Sequence, residues 1–169
     1  MNRQRQDHHR HIAGAGATVA NMRNQPAALL FVCLLALPAA AEKKAIVPPE
    51  FAGTTSSSLP FSPGILVDGT LYVAGQIGTN LKTNEVPTDF ETEVKTCLDN
   101  IGIVLKAAGM TYDDVVSVQV YLTDISLFAR MNAVYSGVFK APRPARTTVQ
   151  VSKLAQPAAR LEITVTARK

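Results

Sequence analysis

The chain has 169 residues, of which 47% are hydrophobic and 18% are charged, a composition that excludes a wholly disordered protein and suits one folded domain. Its formal net charge is +4, but four arginines and one aspartate lie before residue 42. The remaining 13 basic and 12 acidic residues leave a net charge of +1, which does not favour a nucleic-acid partner.

The first 41 residues have the pattern of an export signal behind a leader. Residues 22–41 begin with Met22 and Arg23, continue with an apolar run and end in three alanines. This pattern predicts a signal peptide cleaved after Ala41, hence a periplasmic or secreted protein. The run is shorter than the roughly 20 residues that cross a bilayer, so we expect no membrane association after cleavage. Residues 1–21 are interpreted as upstream read-through or a disordered leader.

The distribution of histidine and cysteine restricts the chemistry. All 3 histidines lie in the leader, and Cys97 is the one cysteine after residue 41. This excludes serine–histidine triads, cysteine–histidine pairs and most zinc sites from the rest of the chain. We therefore expect a site without metal or cofactor, made of carboxylates, arginines, hydroxyl groups and backbone.

The domain is predicted to follow an irregular arm and to begin with a β-hairpin. Residues 42–64 are rich in proline, serine and threonine, which favours an irregular arm, assigned to residues 42–54, and the domain is assigned to residues 55–169. Within residues 66–78, two runs of strand-forming residues meet at Asp68 and Gly69, a pair that favours a two-residue turn.

A first helix is predicted to begin near Thr88, because Glu91 follows it at the spacing of a capping box. Apolar residues then recur at helical spacing as far as Ala108, and Gly109 is expected to end the helix. Cys97 lies beside this apolar stripe and is interpreted as a packed, unreactive thiol.

A third strand is predicted at residues 116–122, where valine and leucine alternate with polar residues. Asp124 or Ser126 is then expected to cap a second helix, with an apolar face within residues 127–138. Two strands complete the order β-β-α-β-α-β-β, an α+β domain with one mixed sheet and two helices on one of its faces.

The opposite face of this sheet is expected to be open and polar, so that either water or a partner subunit covers it. Alternation places the following residues there: Gln119, Tyr121, Arg146, Thr148, Gln150, Ser152, Arg160, Glu162, Thr164 and Thr166.

Arg146 and Glu162 allow two interpretations. They could form an exposed cross-strand ion pair, worth about 0.2–1 kcal/mol. Alternatively, Arg146 could bind a substrate carboxylate through its bidentate guanidinium, while Glu162 takes a proton from water. Two such groups suffice for the hydrolysis of an imine or enamine, whose carbon is already electrophilic.

Several segments resemble the RidA family of reactive intermediate (enamine/imine) deaminases. The stretch PARTTVQVSKL with LEI six residues later, at 144–163, resembles the family's C-terminal signature. VAGQI at 73–77 resembles its SGQI segment. The helical segments LDNI with LKAAG at 98–109, and MNAVY at 131–135, resemble its two helices. The similarity extends over roughly residues 55–169.

The resemblance implies a chorismate-mutase-like domain that forms a homotrimer with sites between subunits. It implies that Arg146 holds the substrate carboxylate, that Glu162 positions or activates water, and that the backbone of Gly75 orients the ligand. Asn132 matches a further site position, although a polar helix residue is an equally good interpretation.

Three positions depart from the family's pattern. Phe61 stands where the deaminases usually have tyrosine, Ala74 replaces the usual serine, and Thr148 replaces the common cysteine. Two hydroxyl groups that could organise substrate or water are therefore missing.

Three hypotheses follow from the sequence. The first is a deaminase that converts 2-imino acids into 2-keto acids and ammonia. The second is a non-catalytic protein that binds small carboxylates in the same cleft, which the departures at Phe61 and Ala74 favour. The third is a ribonuclease, an activity credited to some family members, which the mature charge of +1 disfavours.

Overall fold

The computed structural model describes residues 42–51 and 60–169. Six strands and two α-helices follow one another along the described residues: β1 (Lys44–Ile46), β2 (Gly64–Val67), β3 (Thr70–Ile77), α1 (Phe90–Ala107), β4 (Val115–Leu122), α2 (Phe128–Val138), β5 (Ala145–Gln150) and β6 (Leu161–Arg168). The predicted leader and signal peptide lie outside the described residues. In the part that is described, no helix has the length and hydropathy needed to cross a membrane.

The strands form one sheet in the order β1-β2-β3-β6-β4-β5. All neighbours are antiparallel except β4 and β5, which are parallel, so the sheet is mixed as predicted. The predicted α+β architecture is confirmed. The prediction of a wholly irregular arm at 42–54 is wrong, because Lys44–Ile46 pairs with β2 and adds a sixth strand.

The turn between β2 and β3 forms where the sequence predicts it. Asp68 has φ 48° and Gly69 has φ 69°, and two successive positive φ angles define the turn that suits the twist of a hairpin. Gly69 cannot be replaced freely, because a β-carbon there would lie 2.5 Å from the carbonyl oxygen of Lys169. The turn of the hairpin is thus in close contact with Lys169 at the C-terminus.

Helix α1 begins one residue later than the capping-box pattern predicts. The N-cap is Asp89, whose carboxylate accepts a hydrogen bond from the backbone N–H of Thr92 at 2.8 Å. Gly109, with φ 71°, follows the last turn as predicted. Cys97 is fully buried, and burial raises the pKa of its thiol, which agrees with the prediction of a packed and unreactive side chain.

The core lies between the two helices and one face of the sheet, which we call the helix face. Buried residues of the three central strands alternate along each strand, and they include Leu71, Val73, Val118, Val120, Leu122, Leu161, Ile163, Val165 and Ala167. The other side, the open face, carries Glu162 beside Tyr121, and Thr164 beside Gln119, as predicted.

The prediction for β5 is wrong. Arg146 is in register with Val118, and Thr148 with Val120, so both side chains lie on the helix face. Val149 occupies the open face instead and is 42% exposed. The sequence correctly predicts which residues of β5 share a face. At this edge of the sheet, however, the polar residues Arg146 and Thr148 face the helices, whereas the apolar residue Val149 is exposed.

The prediction that Arg160 lies on the open face is also wrong. It lies just before β6, and its Nε donates a hydrogen bond of 2.6 Å to Oε2 of Glu93, which is fully buried in α1. Oε1 of the same carboxylate accepts a hydrogen bond from the Arg160 backbone N–H at 2.6 Å. Arg160 therefore joins the start of β6 to α1 and takes no part in the open face.

Candidate active site

Glu162 lies on the open face of the two central strands. Its register partners are Tyr121 in β4 and Ile77 in β3. The carboxylate has no hydrogen-bond or ion-pair partner within residues 42–51 and 60–169. Half-buried and without an ion-pair partner among the described residues, it is available to accept a proton.

An irregularity in β3 makes room for this carboxylate. Val73 pairs with Val165 and Gln76 with Ile163, so two residues of β3, Ala74 and Gly75, oppose a single residue of β6. Such an extra residue is a β-bulge, which bends the strand and changes where its backbone points.

Gly75 is required at this bulge by its contact with Glu162. A β-carbon on Gly75 would lie 1.8 Å from Oε1 of Glu162 and 2.8 Å from its Cδ. Any side chain would therefore displace the carboxylate. The structure thus brings together Gly75 and Glu162, two residues to which the resemblance assigns roles in one site.

A cavity of about 370 Å³ opens above Glu162. It is lined by Gly75, Tyr121, Glu162, Thr164 and the segment from Val151 to Ala155, apart from Ser152. Lys153 in this segment was not singled out from the sequence. As a single exposed lysine in a loop it carries no local signal, and only the path of the chain after β5 brings it here.

A second, smaller cavity of about 180 Å³ shares Gly75 with the first. Phe61 lines it and is 53% exposed, so the predicted Phe61 position does lie beside the bulge. The backbone N–H of Ala74 donates a hydrogen bond of 2.9 Å to the carbonyl of Pro63. This bond holds the bulge against the segment that carries Phe61.

Arg146 belongs to a separate cavity of about 460 Å³, on the helix face of β5. Its guanidinium carbon lies 4.5 Å from the ring centre of Tyr135 and 5.5 Å from that of Phe128. These ring faces hold the cation in place without neutralising it. Asn132 of α2 lines the same cavity, so the structure brings this predicted residue to Arg146.

Two buried hydroxyl groups near Arg146 lack partners. The Tyr135 hydroxyl and the Thr148 Oγ1 make no hydrogen bond in the part of the chain that the structure describes. Burial raises the pKa of Tyr135, and the charges of Arg146 and Arg143 oppose that rise. Unpartnered buried hydroxyls are uncommon, and that of Tyr135 belongs to a residue whose ring lies against the Arg146 guanidinium.

The two halves of the predicted site do not meet within one chain. β4 separates β5 from β6, and Arg146 is level with Val118 whereas Glu162 is level with Tyr121. The two residues are thus about 10 Å apart across the sheet and about 10 Å apart along it, on opposite faces. This geometry excludes the cross-strand ion pair that the sequence left open.

The described residues offer no grouping suited to a metal. Across residues 42–51 and 60–169, no three histidine, cysteine, aspartate or glutamate side chains come together.

Comparison with known proteins identifies the family. The model of the family described as Endoribonuclease L-PSP matches residues 54–169, well over half of the chain. The chain belongs to this family. It is also known as the RidA family, and the resemblance recognised in the sequence is confirmed.

Relatives with assigned names cover most of the domain. A RutC family protein of Saccharolobus solfataricus is 48% identical over 111 residues, which are 65% of this chain and 87% of the relative. A bovine protein named 2-iminobutanoate/2-iminopropanoate deaminase is 42% identical over 96 residues, covering 56% of this chain and 70% of the relative.

Solved structures of RidA-family proteins share the fold. A Rid family protein of unknown function from Yersinia pestis matches with a TM-score of 0.68 and 35% identity, over 76% of this chain and 100% of the other. Escherichia coli TdcF with bound serine matches with a TM-score of 0.63 and 31% identity, over 66% of this chain and 89% of the other.

Proposed function

We propose that the protein hydrolyses 2-imino acids to 2-keto acids and ammonia, at a site that two subunits of a homotrimer complete together. The observation that carries the proposal is the Glu162 carboxylate, unpaired in the described chain and held against Gly75 on the open sheet face. The names of the deaminase relatives support the same chemistry.

The reaction needs one carboxylate and one anion anchor. Arg146 binds the substrate carboxylate and presents the C=N carbon to Glu162 of a neighbouring subunit. The Glu162 carboxylate takes a proton from water while the water oxygen forms a bond to that carbon, and the C=N electron pair moves to nitrogen. Return of that proton to nitrogen gives a carbinolamine. Glu162 then transfers the proton of the carbinolamine hydroxyl to the amine, so that the C–N bond breaks as the C=O bond forms, which releases ammonia and leaves the 2-keto acid.

The separation of Arg146 and Glu162 within one chain supports a site formed between two subunits. Arg146 and Glu162 each lack an oppositely charged partner among the described residues, and they face different sides of the sheet. The open face also exposes Tyr72 at 53% and Val149 at 42%. Exposed apolar side chains next to an uncovered sheet face are typical of a surface that another subunit buries.

The activity is tested with an imino acid generated in situ, followed by ammonia and keto-acid release. We expect acceleration by the wild-type protein and its loss in both Arg146→Ala and Glu162→Gln. Absence of acceleration with several imino acids, while small carboxylates still bind, would leave the binding protein as the function. The missing hydroxyls at Phe61 and Ala74 are the observation that favours this second candidate.

Mixing the two inactive variants tests the shared site. If subunits are exchanged by refolding Arg146→Ala with Glu162→Gln, some interfaces combine an intact Arg146 with an intact Glu162. In a trimer, about a quarter of the sites are restored by random mixing. No recovered activity, in mixed oligomers confirmed by mass, would contradict a site between subunits.

We further propose that residues 22–41 direct export and are removed after Ala41. The short positive start, the apolar run and the alanine triplet support this proposal. Expression of the full chain in a bacterium, with N-terminal sequencing of the periplasmic fraction, tests it. A mature protein that begins at Glu42 is expected, and retention of the uncleaved chain in the cytoplasm would contradict export.

A further inference from the structure

The arginines of the described residues fall into two groups. Three of them have hydrogen-bond partners: Arg130 donates to Glu91, Arg160 to Glu93, and Arg168 to Oγ1 of Thr70 at 3.1 Å. Arg143 and Arg146 form no ion pair with any described residue, and the guanidinium of Arg146 lies over the ring of Tyr135. Both unpaired arginines line the same cavity of about 460 Å³.

Two like charges in one cavity repel each other, and an anion that contacts both offsets that cost. A single carboxylate accepts a bidentate contact from one guanidinium, so the Arg146 anchor alone satisfies a 2-imino monocarboxylate. Arg143 then remains without a partner. The arrangement therefore suits a ligand that carries two anionic groups.

The backbone holds Arg143 at the rim of this cavity. It lies between Pro142 and Pro144, whose rings fix their φ angles, and β5 begins at the next residue, Ala145. Arg146 is held in β5 against Tyr135 and Phe128. The restricted backbone around Arg143 and the packed Arg146 side chain both lower the entropy cost of binding a dianion.

Polar groups in the same cavity complement a second carboxylate. Asn132 and Ser136 of α2 line it together with the two arginines. The Tyr135 side chain is 4% exposed, and its buried hydroxyl has no partner in the described chain. A hydroxyl donor next to two guanidinium groups extends the set of donors available to an anion.

We infer that the substrate is a 2-imino dicarboxylate, with its 2-carboxylate on Arg146 and its second carboxylate on Arg143. The inference rests on the proposed deaminase function for the reaction, but the preference for two carboxylates is measurable as binding alone. Arg143 was not singled out in the sequence analysis, because its significance depends on where the turn before β5 places it.

The first experiment compares substrates on the full chain. 2-Iminosuccinate, 2-iminoglutarate and 2-iminopropanoate are generated in situ, and kcat/KM is measured for wild type, Arg143→Gln and Arg168→Gln. Arg168→Gln removes the same charge from an exposed position at the far end of β6, and serves as the matched control. In the wild type and in the control, we expect kcat/KM to be at least about tenfold higher for a dicarboxylate than for 2-iminopropanoate.

In Arg143→Gln, the ratio of dicarboxylate to monocarboxylate kcat/KM is expected to fall to near one. A wild-type ratio already near one, or a ratio that survives in Arg143→Gln, would overturn the inference while leaving the deaminase proposal intact.

A calorimetric experiment separates the two proposals if no imino acid is turned over. Succinate, propanoate and inorganic phosphate are titrated into the same three proteins. Tighter binding of succinate, lost in Arg143→Gln and kept in Arg168→Gln, supports the dicarboxylate site although the proposed reaction has failed. Equal binding of succinate and propanoate, or phosphate binding as tight as succinate, would reject it.

Discussion

Arg146 and Glu162 lie on opposite faces of one sheet, with β4 between their strands. Neither residue has an oppositely charged partner in the described part of the chain. A single subunit therefore presents an anion anchor on one side and a proton acceptor on the other. The proposed reaction requires a second copy of the chain to bring the two together.

Replacement of Gly75 by alanine is predicted to abolish the activity with little loss of stability. The new methyl group would occupy the position of Oε1 of Glu162 and force the carboxylate out of the cavity. We expect kcat/KM to fall at least about 100-fold, because a displaced proton acceptor loses its alignment. Kinetics and urea denaturation check the two effects, and retention of full activity would contradict the assigned contact.

Gly137→Ala provides the opposite case. Gly137 lies inside α2, and a β-carbon there meets nothing within 4 Å. Alanine restricts the unfolded chain without a clash, so the free energy of unfolding should rise by about 0.5–1 kcal/mol. We expect urea denaturation to show this increase, and the kinetics of imino-acid hydrolysis to be unchanged. Destabilisation would indicate a neighbour on that surface of α2, such as another subunit.

Removal of the buried carboxylate in Glu93→Ala is predicted to be strongly destabilising. Glu93 is fully buried and accepts hydrogen bonds from both the side chain and the backbone of Arg160. Loss of one partner from a buried pair costs about 3–5 kcal/mol, and the lower end is expected here because Arg160 remains 32% exposed. Urea denaturation measures the difference.

Glu91→Ala is the matched control for that change. Glu91 lies in the same turn of α1 and pairs with Arg130, but both side chains are at least 40% exposed. An exposed pair contributes about 0.2–1 kcal/mol, so the loss should stay within that range. Equal losses for Glu91→Ala and Glu93→Ala would show that burial does not decide the contribution.

Alkaline pH is predicted to destabilise the fold through Tyr112. Its hydroxyl donates a hydrogen bond of 2.6 Å to the carbonyl of Leu98, and burial, followed by the charge of Asp99, raises the pKa of Tyr112 to about 12. An unfolded tyrosine has a pKa of about 10. The unfolded state therefore loses this proton first, and the stabilisation, complete below pH 10, is lost as the pH rises to about 12.

In Tyr112→Phe, the fall of unfolding free energy between pH 10 and about 12 should become shallower. It will not vanish, because burial also raises the pKa of Tyr135. At neutral pH the variant should lose about 1 kcal/mol with its hydrogen bond. Urea denaturation at several pH values checks both statements, and an unchanged slope would be inconsistent with the buried phenol.

Tyr135→Phe is predicted to separate stability from ligand binding. The Tyr135 hydroxyl is buried without a partner in the described chain, so its removal should leave the free energy of unfolding unchanged or raise it by about 1 kcal/mol. Carboxylate binding should weaken, because the hydroxyl lies in the Arg146 cavity. A loss of stability with unchanged ligand affinity would show that the hydroxyl has a structural partner.

Local patterns in the sequence were sufficient for most of the secondary structure. The Asp68–Gly69 turn, the apolar stripe of α1 and the alternation in β4 were predicted correctly, because each depends on neighbours within a few residues. The strand at Lys44–Ile46 was missed, because three residues carry too little alternation and its formation depends on pairing with β2.

The sequence by itself determined the residues available for chemistry: Arg146, Glu162, a glycine at position 75 and no histidine after residue 41. Only the tertiary structure decided their arrangement. A period of two shows which residues of a strand share a face, but the packing of distant elements decides which face is covered. That packing placed Arg146 on the helix face, buried Glu93 against Arg160 and brought Arg143 to the Arg146 cavity.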